Sequence, residues 1–555
     1  MTSEAVGPTA TVDNARKWWV VVAMSGVMII LTLDFFGLTV ALPAIGQDLN
    51  ASTNTLLWTV NGYLLAFVAP MIAIGRLADI VGRRKIALVG IVLFVLGSIG
   101  CAVAPTDIFL ICARVVQGVG GGSIFTVSVS IVSNAFPPDD RPKALGIWSG
   151  VGLAGSAIGP FVAGILTQYA SWRWFFFLNV PIGVATFLLT LRFVDESRDE
   201  SFTGGIDWNG FVLLTAGFVP LIFGLQQAAE SGWSSPLVFG PVVVGVLLLA
   251  AFAVNERRLR SKEPLVDFSL FRDARFAGAN VVAFIGNWMF GSILFFLTLY
   301  LQNVLDLSAL EAGLVFLVFS VPLVGMSPIG GRMVTRYGAQ QLMAVGMALV
   351  GAGVTCFVFI DTDTGVGLVI VGLVLAGFGQ GFAYNLSNTA GMESMPDEKS
   401  GVASGVLQTS RLMGIVVGLA ISGALFKSFE NRQLFSDFHD RTGRALTASN
   451  RSEVRGLLSG SDEARHRLTQ LGHHSQAVID RVVDQAFVHG LRSVMVLSVI
   501  LCALAIWPAL WGRTVRAGRE GRHPSFAHPH WALTWRRTGR PQVATTARSA
   551  AGPAN

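Results

Sequence analysis

Residues 18–43, WWVVVAMSGVMIILTLDFFGLTVALP, form an apolar run long enough to cross a bilayer, broken only by one carboxylate near its middle, Asp34. On insertion scales such a group at a helix centre costs about 2.5–3.5 kcal/mol, so membrane proteins turn it into the bundle and use it. Asp34 is therefore the first candidate functional residue. The plainer alternative is a carboxylate tied off by neighbouring hydroxyls such as Thr32 or Thr39, or one close enough to the surface to be wet.

Working outward, runs of this kind recur along almost the whole chain. Of its 555 residues 52% are hydrophobic and 13% charged, against about 25% charged in an ordinary soluble domain. The 62 glycines fit helices that approach closely in lipid. Charged and Pro/Gly-rich breaks divide the chain into fourteen spans, near 18–43, 55–78, 86–104, 108–133, 142–168, 172–194, 207–229, 236–254, 275–301, 309–334, 340–360, 365–392, 400–427 and 487–512. The expected fold is an all-α polytopic membrane protein with two six-helix halves and two extra central transmembrane helices. Its expected parts are a cytoplasmic N-terminal tail (1–17), an N-terminal half (18–194), a two-span insertion with linkers (195–274), a C-terminal half (275–512) containing a long outer loop (428–486), and a basic cytoplasmic tail (513–555).

Lys and Arg set the orientation. Alternate short loops carry Arg16 and Lys17, then Arg76, Arg83, Arg84 and Lys85, then Arg141 and Lys143, and so on to Arg332, Arg336 and Lys399, whereas the opposite short loops offer only Arg173. Both termini are expected in the cytoplasm, and the protein in the cell membrane. The net charge of +6 sits in loops and tail, where it sets topology; it does not indicate a nucleic-acid partner. Cys101, Cys112, Cys356 and Cys502 lie in apolar runs without metal-ligand spacing, so neither a disulfide framework nor a metal site is expected. No Gly-Lys pair occurs anywhere, which excludes a phosphate-cradling loop of an ATP-driven pump.

Three motifs add mechanism. The loop after the second span, GRLADIVGRRK at 75–85, combines glycines for a tight reversal with an acid and a basic cluster, making Gly75, Asp79, Gly82, Arg83 and Arg84 a candidate conformational latch. A weaker echo, GRMVTRYG at 331–338, occupies the equivalent place in the second group of six, as expected of two related halves. In the fourth span Arg114 and Gln117 lie one helical turn apart on one face, and a guanidinium at that depth needs a partner or a wet cavity. In the fifth span Gly155, Gly159, Pro160 and Gly164 form a thin face with a proline able to bend the helix.

The 75–85 loop resembles the signature of the major facilitator superfamily, departing from it at Ile80. GSAIGPFVAG at 155–164 is similar to the span-five motif of that superfamily's antiporters. Leu33-Asp34 with VALP at 40–43, and WRWFFFLNVPIG at 172–183, resemble the fourteen-span drug/proton antiporters of the EmrB/QacA type, as does the two-span insertion. The resemblance implies a secondary active efflux transporter working by alternating access, with Asp34 as proton carrier, Arg114 as its electrostatic counterpart or proton-relay partner and span five as part of the hinge. It implies no enzyme and no cofactor, the proton motive force being the energy source. The expected partners are protons, a small-molecule substrate and the bilayer, and the expected state is a monomer.

One elementary charge crossing 100 mV is worth about 2.3 kcal/mol, and one pH unit about 1.4 kcal/mol. The scarcity of acids in the spans favours neutral or cationic lipophilic cargo. The alternative is a dedicated exporter of one native metabolite, antibiotic or lipid. Residues expected to line the cavity are Phe36, Thr39, Trp58, Tyr63, Gln117, Asn287, Trp288, Tyr384, Asn385 and Asn388.

Overall fold

The computed structural model describes residues 9–137, 140–198, 207–231, 235–258, 266, 268–393, 395, 400–442 and 476–510. The basic tail, Lys399 and the central part of the outer loop lie outside these residues. The described chain folds into fifteen α-helices and one short 3-10 turn, Phe268–Arg272, with no strand among the described residues. A bilayer core leaves the backbone no other partners, so helices that satisfy their own amides are the physical solution.

The N-terminal half comprises α1 (Thr9–Asp48), α2 (Thr53–Val68), α3 (Met71–Val81), α4 (Arg83–Ala102), α5 (Asp107–Asn134), α6 (Arg141–Tyr169) and α7 (Trp172–Phe193). The central pair is α8 (Trp208–Ser231) and α9 (Pro236–Arg258). The C-terminal half comprises α10 (Ala274–Asn303), α11 (Ala309–Tyr337), α12 (Ala339–Val358), α13 (Val366–Glu393), α14 (Ser400–Thr442) and α15 (Gln476–Ala509). Thirteen of the described helices are long and apolar enough to span a membrane. The remaining crossing is the broken pair α2 and α3: the proline at 70 has no amide hydrogen to give, and the helix restarts with Ile74 N–H donating to the Pro70 carbonyl at 2.8 Å. Together they are consistent with fourteen crossings.

Two helices outrun the sequence boundaries. α14 continues fifteen residues past 427, and α15 begins at Gln476 rather than 487, so both edges of the outer loop are helical extensions of their spans.

Within the first half α1 packs on α6 and α7, and α5 on α2 and α4; within the second, α10 packs on α13, α14 and α15. The halves meet through α6 with α11, α2 with α14 and α1 with α10. Small residues decide how closely. A Cβ on Gly164 would lie 2.7 Å from the Ala309 carbonyl oxygen, and one on Gly313 2.6 Å from that of Pro160, so α6 and α11 touch backbone to backbone here. Five helical turns away on the same faces, at Gly146 and Gly331, an added Cβ would meet nothing within 4 Å. The two helices therefore touch at one end and part over about 27 Å toward the other.

The closed end is also joined by Gln302 Nε2 donating to the Val40 carbonyl at 2.9 Å, and by Leu57 filling the space over Gly423. The parted end is the one that carries the Arg83–Arg84 loop.

Candidate functional site

The N-terminal half holds a buried polar cluster around Asp34. The carboxylate is 0% exposed and receives three donors: Arg114 Nη1 to Oδ2 at 2.5 Å, Gln117 Nε2 to Oδ1 at 2.8 Å, and Asn179 Nδ2 to Oδ1 at 3.2 Å. Arg114 also donates from Nη1 to Gln117 Oε1 at 2.6 Å and from Nε to the Thr59 carbonyl at 3.3 Å. Its guanidinium lies 3.9 Å from the centre of the Tyr63 ring. Gln117 Nε2 is shared with Ser98 Oγ at 2.9 Å. Five helices, α1, α2, α4, α5 and α7, thus converge on one ion pair.

Local sequence explains the convergence. Thr106 caps the start of α5, its hydroxyl accepting from Phe109 N, and fixes the phase that turns Arg114 and Gln117 inward. Beyond them α5 presents glycine to its neighbours: a Cβ on Gly118 would collide with the Tyr63 carbonyl oxygen. On α4, a Cβ on Gly97 would lie 2.6 Å from Gln117 N. Helices packed this closely exclude bulk water, so the two charges are compensated by each other and by neutral dipoles. A pair held in this way is costly to break from one side, typically about 3–5 kcal/mol, because the survivor is left buried and uncompensated.

The hinge motif lies against both halves. A Cβ on Gly155 would collide with Thr32 Oγ1 and one on Gly159 would lie 3.3 Å from Gly37 N, so α6 is pressed onto the Asp34 helix, while Pro160 and Gly164 face α11. The latch motif is assembled at the parted end. Arg83 pairs with Asp79 at 2.9 Å, and Arg84 N–H donates to Glu196 Oε1 at 3.0 Å. Gly82 adopts φ +125, and a Cβ there would collide with Glu196 Oε1. Gly75 has open space around it except for the Thr126 methyl group, 3.3 Å from where a Cβ would stand.

The residues expected to line a cavity are dispersed. Tyr63 and Gln117 belong to the Asp34 cluster. Phe36 meets Phe290 of α10 edge to face at 5.0 Å, at the junction of the halves, and Thr39 donates to the Phe36 carbonyl. Trp58 tilts against Phe223 of α8 at 6.2 Å. Asn287 donates to the Ala283 carbonyl of its own helix, and Trp288 Nε1 to Ser422 Oγ. Tyr384 lies under Arg411, with 4.2 Å between the guanidinium carbon and the ring centre. Asn388 is exposed, and the side chain of Asn385 is not among those described.

Four contributors carry no assignment from sequence. Asn179 stands inside the 172–183 motif without a role of its own, and Ser98 and Glu196 give no signal beyond their polarity. Arg411, a buried arginine inside an apolar run, carries the same signal as Arg114.

A two-halved bundle of this kind, with a dry ion pair in one half and parted helices at one end, defines a multi-pass membrane transporter rather than an enzyme. The family model described as Major Facilitator Superfamily matches residues 24–419, and the chain belongs to that superfamily. The chain is 32% identical over 419 residues to the tetracenomycin C resistance and export protein of Streptomyces glaucescens, covering 75% of this chain and 77% of that one. It is 32% identical over 427 residues to the multidrug efflux pump LfrA of Mycolicibacterium smegmatis, covering 76% and 83%. Among solved structures, a bacterial homolog of the human lysosomal transporter Spinster in an inward-facing conformation superposes with a TM-score of 0.61 at 15% identity, covering 89% of this chain and 97% of that one; this is a likeness of fold.

Proposed function

We propose that the protein exports small lipophilic compounds across the cell membrane by alternating access, each cycle coupled to proton entry through Asp34. The observation that carries the reading is the triple donation to a carboxylate with no exposure. An ionised carboxylate accepts all three donors. A protonated one becomes a donor itself and gives up part of that capacity. Protonation therefore loosens α5 and α7 from α1, and α1 is the helix against which the hinge motif of α6 is pressed. That chain of contacts links proton binding to the angle between α6 and α11.

In this reading Arg114 is the counter-charge that returns Asp34 to its ionised state, α6 is the hinge, and the Asp79–Arg83 pair with Glu196 is the latch. By the distribution of Lys and Arg the parted end faces the cytoplasm, both termini lie there, and the chain works as a monomer without a cofactor. The test is uphill transport in proteoliposomes. It is expected to collapse with a protonophore and to be lost in Asp34→Asn. Normal pumping by that variant would make Asp34 structural.

A second reading keeps the mechanism and narrows the cargo to one compound. It is favoured by relatives named for single antibiotics, such as the puromycin resistance protein of Streptomyces alboniger, 31% identical over 414 residues. A screen that finds one transported compound among dyes, antiseptics and secondary metabolites would select it.

A further inference from the structure

The C-terminal half contains a second buried arginine that the proton site does not use. Arg411 of α14 is 3% exposed, and its described partners are all neutral. Its Nη2 donates to the Tyr384 carbonyl and, at 3.0 Å, to Ser387 Oγ; the Tyr384 ring covers the guanidinium; its Nε, buried, has no hydrogen-bond partner. The contrast with Arg114 is one of charge. Arg114 has Asp34, whereas no carboxylate among the described residues pairs with Arg411. An isolated ion is expensive to hold in a membrane interior, and an arginine there marks a ligand pathway by default.

Its position fits that role. Arg411 lies eleven residues from the start of α14, about 16 Å along the helix from the parted end. Ser404 and Gln408 fall seven and three residues before it on the same helix face, and Asn388 falls one turn beyond Tyr384 on α13. Exposure rises along both tracks, from the buried Arg411 through the half-buried Gln408 and Tyr384 to the exposed Ser404 and Asn388.

We propose that Arg411 is the anchor of an anion site in the C-terminal half, so that the transported class includes lipophilic compounds bearing a carboxylate or phenolate. The guanidinium fork matches a carboxylate geometrically, and Nε is the donor left free for it. The Tyr384 ring supplies the flat apolar surface that such a molecule needs beside its charge. This rests on the export reading and changes its energetics. A monocation leaving as one proton enters moves no net charge, whereas a monoanion leaving as a proton enters moves two charges inward, so its export draws on the voltage twice.

The test is equilibrium binding to the full chain in lipid nanodiscs, by fluorescence polarisation of two dyes with one xanthene ring system and opposite charge: fluorescein, an anion, and rhodamine 123, a cation. Arg411→Gln is expected to weaken fluorescein about tenfold or more and to leave rhodamine 123 within about threefold, with Arg411→Lys in between for fluorescein. Equal fluorescein affinity in the wild type and Arg411→Gln, or an equal loss of both dyes, overturns the proposal.

A second arm leaves the buried arginine in place. Phenylglyoxal modification of wild-type Arg411, followed by peptide mass spectrometry, is expected to slow in fluorescein and not in rhodamine 123. Absence of that protection, or an arginine that never reacts, also overturns the site. Neither arm needs a proton gradient, so failure of the Asp34 transport test and failure of this one are separate results.

Discussion

Arg114 reaches Asp34 at 2.5 Å across two helices whose positions in the chain are 80 residues apart, and neither side chain is more than 1% exposed. The pair is held by neutral dipoles on every other side. Its behaviour on substitution follows from that enclosure, and the two partners are not equivalent.

Asp34→Asn keeps size and hydrogen bonding while removing a charge, but it leaves Arg114 buried without its counter-ion. Arg114→Ala leaves a bare carboxylate and also removes the cation over Tyr63. The arginine variant is expected to lose about 3–5 kcal/mol, seen as a lower unfolding midpoint in detergent. The double variant Asp34→Asn, Arg114→Gln is expected to be more stable than Arg114→Ala alone and still unable to pump. A double variant no better folded than Arg114→Ala would show that charge is not what the cluster balances.

Asn179→Ala tests the third donor. Its bond at 3.2 Å is the longest to Asp34, and its loss is expected to cost about 1 kcal/mol of stability while reducing proton-driven transport. Unchanged transport would place Asn179 outside the coupling.

The latch gives a comparison between two glycines of positive φ. Gly82 (φ +125) faces Glu196 at clashing distance, whereas at Gly338 (φ +79) a Cβ would meet only Gln340 Oε1, at 3.8 Å. Gly338→Ala is expected to cost the backbone strain alone, about 1–3 kcal/mol. Gly82→Ala is expected to cost that strain plus the Glu196–Arg84 N–H hydrogen bond displaced with the carboxylate, about 1 kcal/mol more, and to cost the strain alone when Glu196 is already alanine. Thermal unfolding of Gly338→Ala, Gly82→Ala, Glu196→Ala and the Gly82→Ala, Glu196→Ala double variant measures it; additive losses in the double variant would mean that Glu196 does not seat the loop.

The parting of α6 and α11 is read by labelling. Gly146→Cys or Gly331→Cys is expected to react with a water-soluble maleimide added from the side of the Arg83 loop, and Ala312→Cys, buried at the closed contact, to resist it, with sites assigned by peptide mass spectrometry. Equal reaction at all three positions would contradict the closed contact at Ala309.

Much of this is legible in the chain. Asp34 and Arg114 are visible because a charge inside an apolar run is rare enough to carry information by itself, and Gln117 follows from its place one turn away. The same logic applied to Arg411 finds it, since it stands equally alone in TSRLMGIVVG. Pro70 marks the break of the second span, but hydropathy averages over a single missing donor. Asn179, Ser98 and the Thr59 carbonyl are not readable, because their meaning depends on which helices the glycines of α4 and α5 bring together. The aromatic residues expected around a cavity illustrate the converse. Phe36 meets Phe290, Trp58 meets Phe223 and Trp288 meets Ser422 across helices, and composition alone does not tell an aromatic that waits for a ligand from one that fills a seam.

An energised membrane is a charged capacitor, and any protein that spans it is a potential short circuit. With Asp34 sealed while the bundle is parted toward one face, the carboxylate is wired to neither compartment. The enclosure that makes the ion pair expensive to break is also insulation, and it allows a cell to keep such a protein in its membrane when there is nothing to export.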